Sequence, residues 1–278
     1  MGFRCIVAIM KTLTWQDALT DYTAFLIAKG CTKRTIETRL NYLNRITHLG
    51  NPGEISGEAL LEWAATFDWK AETRHSCYAT LRGFFRYLFM TGRRNDNPGG
   101  ILPTIKRNPP APRPIPESLY AKALDSAPPK PRLALELAGF AGLRRGEIPL
   151  VNVHDLVEDL LGASLIVHGK GNKERLVPLT DDLALEIMSN AGPSGWAFTS
   201  KQTGQHINSD WLAKIVAPYL PEGFMLHSLR HRFATVCYQR TGDIRAVQML
   251  LGHEDLATTQ RYIQVDAATL RHVVESAT

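Results

Sequence analysis

Five short segments of this sequence hold the side chains needed to bind a phosphodiester, neutralise it and attack it. They are Gly142-Leu143-Arg144-Arg145-Gly146-Glu147, Gly169-Lys170-Gly171-Asn172-Lys173, His227-Ser228-Leu229-Arg230-His231, Leu250-Leu251-Gly252-His253 and Thr258-Thr259-Gln260-Arg261-Tyr262. A guanidinium grips two non-bridging phosphate oxygens through parallel N–H bonds, which an ammonium cannot copy. A tyrosine displaces a phosphodiester oxygen only when its proton is removed and the phosphate charge is neutralised. Two arginines, two histidines, a lysine and a tyrosine supply all of these functions without a metal, and no cofactor is called for.

Each residue alone has an ordinary reading. Arg144 beside Glu147 reads first as a surface ion pair, worth little. With the downstream partners, Arg144 becomes the phosphate-gripping group and Glu147 the carboxylate that orients it. Arg230 lies three residues after His227, on the same face of a helix start, so an imidazole and a guanidinium stand side by side. His231 is expected to point away from His227 and to be structural. His253 follows Gly252, which ends a helix and lets the imidazole approach. Lys170 and Lys173 occupy a turn where exposed lysines are usually inert. An arbitrary tyrosine packs in a core or at a rim, but Tyr262 lies nine positions after His253. His48, His75, His154, His168, His206 and His272 have no matching context and are assigned no role.

These residues need a frame to converge. A chain of 278 residues buries a sizeable core and usually forms two domains. Its formal charge of +5 suits a polyanionic partner without proving one. Cys5, Cys31, Cys77 and Cys237 are far apart, form no CxxC pair and read as reduced thiols with no zinc site. No apolar run is long enough for a transmembrane helix, and Met1 to Met10 lacks the form of a signal peptide.

The first hundred residues carry helical spacing. Ala18, Leu19, Tyr22, Phe25 and Leu26 form one apolar face, with Thr14 as N-cap and Gly30 as stop. Ile36, Leu40, Leu43 and Ile46 form a second, ended by Gly50. Ala59, Leu60, Leu61 and Trp63 form a third, after Ser56. Tyr78, Leu81, Phe85 and Leu88 form a fourth, ended by Gly92. Opposite that last stripe lie His75, Arg82 and Arg86, read as a solvated face or a phosphate-tracking one. Asn108 to Pro116 is proline-rich, hence extended and part of neither core. Beyond it, Leu160 to His168 and Glu174 to Leu179 read as strands around a Gly-Lys-Gly-Asn hairpin turn. Trp196 to Thr199 reads as a further short strand. Helices are expected near 209–219, 227–240, 243–251, 256–262 and 266–275. The expected fold is mainly α with a small antiparallel β-sheet: domain 1–107, linker 108–116 and an α+β domain 117–278.

The ordered motifs, from about Pro114 to Gln264, resemble the catalytic domain of the tyrosine recombinase (phage integrase-like, Xer-like) family. "GLR…E" matches Gly142 to Glu147, the hairpin lysine matches Lys170, HxxR matches His227 to Arg230, and "LLGH" ends at His253 before the nucleophile Tyr262. Four motifs in order are specific where one is weak. The first domain resembles the family's helical core-binding (SAM-like) domain less specifically, through Thr32-Lys33-Arg34-Thr35-Ile36 and Asn97-Pro98. One departure is Pro149, where the family pattern continues a helix.

The resemblance implies catalytic roles for Arg144, Lys170, His227, Arg230, His253 and Tyr262, and DNA-backbone contacts for Arg82, Arg86, Arg145 and Lys173. It implies a recombinase or integrase that clamps double-stranded DNA between its two domains. Tyr262 attacks to give a 3′-phosphotyrosyl link, Lys170 protonates the leaving 5′ oxygen, and strands exchange through a Holliday junction in a homotetramer on two sites. An accessory DNA-bending protein belongs to the partners such an assembly can take. The expected location is cytoplasmic and nucleoid-associated. Two alternatives remain: relaxation of supercoils by a type IB topoisomerase, which the short helical first domain argues against, and a catalytically silent DNA-binding accessory protein, which the complete residue set argues against.

Overall fold

The computed structural model describes residues 13–106, 112–169 and 173–252. The lead-in Met1–Met10, part of the proline-rich stretch, Lys170, His253, Tyr262 and the helices expected at 256–262 and 266–275 lie outside the described residues. The chain divides into two compact units, Met1–Pro110 and Ala111–Thr278.

The first unit is helical. Helices α1 (Trp15–Ala28), α2 (Lys33–Asn44), α3 (Gly57–Ala65) and α4 (Ala71–Met90) surround one apolar core. Thr14, Thr32 and Ser56 each accept a backbone N–H of the first turn, which satisfies donors that a helix start leaves unpaired. Ala18, Tyr22, Leu26, Ile36, Leu43, Leu60, Trp63, Leu81, Phe85 and Leu88 are buried, as their spacing requires. Phe25 is an exception at 39% exposed. The second helix stops at Asn44, not at Gly50; a separate 3-10 turn, Thr47–Leu49, bridges the gap. The chain then turns at Gly50, whose carbonyl accepts the Trp15 indole N–H at 2.8 Å.

The second unit packs helices on a small sheet. After α5 (Glu117–Ser126), the almost wholly buried α6 (Pro129–Gly139) runs through the core. Strands β1 (Leu156–Asp159), β2 (Gly162–His168) and β3 (Glu174–Pro178) form an antiparallel sheet in that order. Leu165 pairs with Val177 and Val167 with Arg175, which sets these four on the inward face. Helices α7 (Asp181–Asn190), α8 (Ser209–Val216), α9 (Leu226–Thr241) and α10 (Ile244–Leu251) complete the described part.

Several expectations differ from this outcome. Leu160 and Leu161 belong to the turn between β1 and β2, at 105% and 97% exposed, so the strand to His168 begins at Gly162. Strand β1 was not expected. Trp196–Thr199 makes only isolated bridges, Asn152 to Trp196 and Thr199 to His206, and no regular strand. Ile115, assigned to neither core, is buried in the core of the second unit. Pro149, the departure from the family pattern, sits as that departure implies in a 3-10 turn, Ile148–Leu150, and the preceding α-helix ends at Gly139.

Between α6 and that turn the chain reverses at Gly142, φ +66°, a left-handed conformation open to glycine at no steric cost. A Cβ there would lie 2.5 Å from Phe233 Cδ1 of α9. Gly142→Ala therefore adds backbone strain to a clash and is expected to cost about 1–3 kcal/mol. Thermal unfolding checks this: a melting temperature within a degree of wild type would show that neither strain nor clash matters.

Candidate active site

The site is built on an acceptor surplus. Helix α10 ends at Leu251, and its C-cap Gly252 adopts a left-handed φ of +61°. The last carbonyls of any helix lack intrahelical partners, and the dipole places negative charge there. Here three consecutive carbonyls each take a different arginine. Leu250 O accepts Arg175 Nε at 2.7 Å, Leu251 O accepts Arg230 Nη2 at 2.6 Å, and Gly252 O accepts Arg144 Nη2 at 3.0 Å.

Glu147 binds the same arginines from the other side. Its carboxylate is buried, 5% exposed. It accepts Arg144 Nη1 at 2.7 Å and the Arg144 backbone N–H at 2.8 Å. It also accepts both terminal nitrogens of Arg175, at 2.9 and 2.7 Å, and lies 3.9 Å from Arg230 Nη1. Burial alone would push its proton affinity up; the hydrogen bonds and charge of Arg175, then the bonds from Arg144, overturn that and hold it down at about 2. Arg230, 1% exposed, also donates to the Gly142 carbonyl, which ties the α6 turn, α9 and the end of α10 together.

The sequence-derived residues divide accordingly. Arg144, Glu147, Arg230 and His227 come together. Arg144 keeps a side chain 39% exposed, so its guanidinium is both braced and open to an anion. His227 is in the first turn of α9 and is exposed as a residue. Its proton affinity is lowered by partial burial, then by the positive charges of Arg230 and Arg144. Lys170, His253 and Tyr262 lie outside the described residues; Lys170 directly follows Gly169 in sequence, and His253 directly follows Gly252. Lys173 is exposed and its carbonyl accepts the Gly169 N–H at 2.7 Å, closing the base of the hairpin. Arg145 is exposed, 3.5 Å from Asp210. In the first unit Arg86 is exposed, whereas Arg82 Nη1 donates to the carbonyls of Leu102 and Pro103 at 3.1 and 3.0 Å and is half-buried. Arg82 thus fastens the segment after Asn97-Pro98.

Arg175 has no role assigned from the sequence, and His231 is oriented otherwise than expected. Arg175 is the main partner of Glu147. Its signal was a charge sharing the inward face of β3 with Val177, since an inward charge requires a buried partner. His231 does not point away from His227: their ring centroids are 4.2 Å apart, edge to face. Positions four apart on a helix share a face.

The profile of the phage integrase family matches residues 116–269. The chain is 32% identical to the tyrosine recombinase XerC of Pelobacter propionicus, over 72% of this chain and 70% of that protein. It is 29% identical to the tyrosine recombinase XerD of Rhizobium meliloti, over 95% and 87%. Among solved structures, the lambda integrase tetramer bound to a Holliday junction aligns with a TM-score of 0.75 at 18% identity, covering 92% of this chain and 78% of that one. XerH bound to its difH substrate aligns with a TM-score of 0.61 at 22% identity, covering 79% and 70%.

The depressed affinity of Glu147 has a pH signature. A carboxylate held at about 2 against an ordinary 4.5 contributes stability above pH 4.5, and this is lost as pH falls from 4.5 towards 2. The shift corresponds to roughly 3 kcal/mol. Glu147→Gln should therefore be less stable than wild type at pH 7 by about 3–5 kcal/mol, with the gap narrowing across that window. Denaturant unfolding at a series of pH values checks it, and a pH-independent gap would contradict it.

Proposed function

The chain belongs to the phage integrase family and is a site-specific tyrosine recombinase, and on that premise we propose that Arg144, Lys170, His227, Arg230, His253 and Tyr262 carry its strand cleavage. The observation that supports this most is the convergence of Arg144, Arg230 and Arg175 on Glu147 and on the end of α10. It gives a fixed positive site whose next residue in sequence is His253.

Arg144 grips the non-bridging oxygens of the scissile phosphate, and Arg230 adds positive charge from beneath. The Tyr262 hydroxyl oxygen forms a bond to phosphorus as the bond to the 5′ oxygen breaks. The tyrosine proton passes towards His227, whose lowered proton affinity favours the neutral imidazole that can accept it. Lys170 donates a proton to the departing 5′ oxygen, leaving a free 5′ hydroxyl and a 3′-phosphotyrosyl link. Bond energy is retained, so attack by a 5′ hydroxyl of a partner strand reverses the step and joins new ends without ATP or a metal.

We extend to this chain the assembly named for lambda integrase, a tetramer on a Holliday junction, with four protomers acting on two duplex sites. An accessory DNA-bending protein and a nucleoid location in the cytoplasm accompany that reading. Among the described residues no helix is long and apolar enough to cross a membrane.

The test is covalent capture on nicked suicide duplexes with randomised core sequence. Wild type should form a protease-sensitive adduct in excess EDTA, and Tyr262→Phe should form none while binding the enriched duplex as tightly. An adduct with Tyr262→Phe removes the nucleophile assignment; a strict need for divalent metal removes the mechanism. On the same enriched duplex, Arg86→Ala should lower the dependence of binding on salt, through loss of one phosphate contact. Arg82→Ala should leave that slope near wild type and instead lower thermal stability, because its donors serve Leu102 and Pro103. The opposite pattern would make Arg82 the phosphate ligand.

A further inference from the structure

The chain enters the second unit along the first turns of α9, the helix that carries His227 and Arg230. The Ile115 N–H meets the Ser228 carbonyl at 3.4 Å, and the Ile115 side chain is buried. The Arg113 guanidinium lies over the Phe224 ring, 5.1 Å from its centroid, in the turn before α9. The Arg113 backbone N–H donates to Nδ1 of His231 at 3.1 Å. His231 in turn stands edge to face against His227 at 4.2 Å.

We infer that His231 is a positioning residue: the Arg113 N–H fixes the plane of its ring, and that ring forms the wall that orients the His227 imidazole. The inference rests on the recombinase reading and on the role given to His227. An Nδ1 that accepts a hydrogen bond carries no proton, so the ring is neutral with its proton on Nε2. Burial, and after it the neighbouring His227 and Arg230, push the proton affinity of His231 down to about 4, so the acceptor persists at neutral pH. A backbone N–H is a suitable anchor because, unlike a long side chain, it has no rotamers to lose. The arrangement also makes the chain's entry to this unit a physical neighbour of the proposed proton acceptor.

Arg113 lies between Pro112 and Pro114, so a third proline there suits the extended backbone. Arg113→Pro deletes the N–H together with the guanidinium; Arg113→Ala deletes the guanidinium alone. His231→Phe keeps a ring and deletes the acceptor. Single-turnover adduct formation on the enriched suicide duplex should be near wild type for Arg113→Ala. It should be slower by about 10–100-fold for Arg113→Pro and His231→Phe, the scale of a small misplacement of a reacting group. Binding of that duplex and the melting temperature of Arg113→Pro should match those of Arg113→Ala. In a His227→Ala background both slowing effects should vanish, because residues that act through one another are not additive. Equal rates for Arg113→Pro and Arg113→Ala would overturn the inference, as would undiminished slowing in the His227→Ala background, which is the mark of a merely structural histidine. Absence of any adduct with wild type would instead defeat the recombinase reading itself.

Discussion

A helix end and one buried carboxylate set the terms for the second unit. The carbonyls of Leu250, Leu251 and Gly252 point out of the end of α10, and Glu147 is sunk beside them. Left unpaired, such acceptors would cost several kcal/mol. Three arginines from three different elements answer them: Arg144 after α6, Arg175 in β3 and Arg230 in α9. Arg144 and Arg175 each join Glu147 to one of these carbonyls, and Arg230 joins Leu251 to Gly142, so the relative placement of helix, strand and turn is fixed by hydrogen-bond geometry as well as by apolar packing. Three positive charges are therefore held together by the protein's own acceptors.

The three arginines are not equivalent. Arg175 directs Nε and both terminal nitrogens into protein and is 11% exposed in its side chain, so it serves the frame. Arg230 is buried and stitches Gly142 to Leu251. Arg144 remains half-open, braced on one side by Glu147 and on another by Gly252. Preorganisation of this kind matters because a donor already aimed at developing charge needs no rearrangement during the reaction. The same network delivers the chain from Gly252 into His253, and the hairpin base at Gly169 and Lys173 flanks Lys170 in sequence.

What the sequence disclosed follows from locality. Thr14, Ser56, Gly30 and Gly92 act within a few residues of themselves, so their capping and stopping roles were readable. The HxxR pair was readable because three residues on a helix share a face. The partnership of Arg175 with Glu147 spans 28 residues, and its bond to Leu250 spans 75; no local pattern encodes either. Strand β1 is four residues long and half polar, too short for alternation to register. Arg82 has the spacing of an exposed charge, but the carbonyls it serves, Leu102 and Pro103, return from 20 and 21 residues away. His231 is different in kind: the helical repeat alone puts it beside His227, and the expectation that it points away conflicts with that repeat.

The claim that ties these observations to chemistry is that the braced arginines serve attack by Tyr262, one of eight tyrosines in the chain. Mass spectrometry of the trapped protein–DNA adduct after nuclease and trypsin digestion tests it most directly. The account predicts a nucleotide linked through its 3′ phosphate to the Tyr262 hydroxyl, in the peptide Tyr262–Arg271. A nucleotide on any other residue, or cleaved DNA with no protein attached, would contradict it.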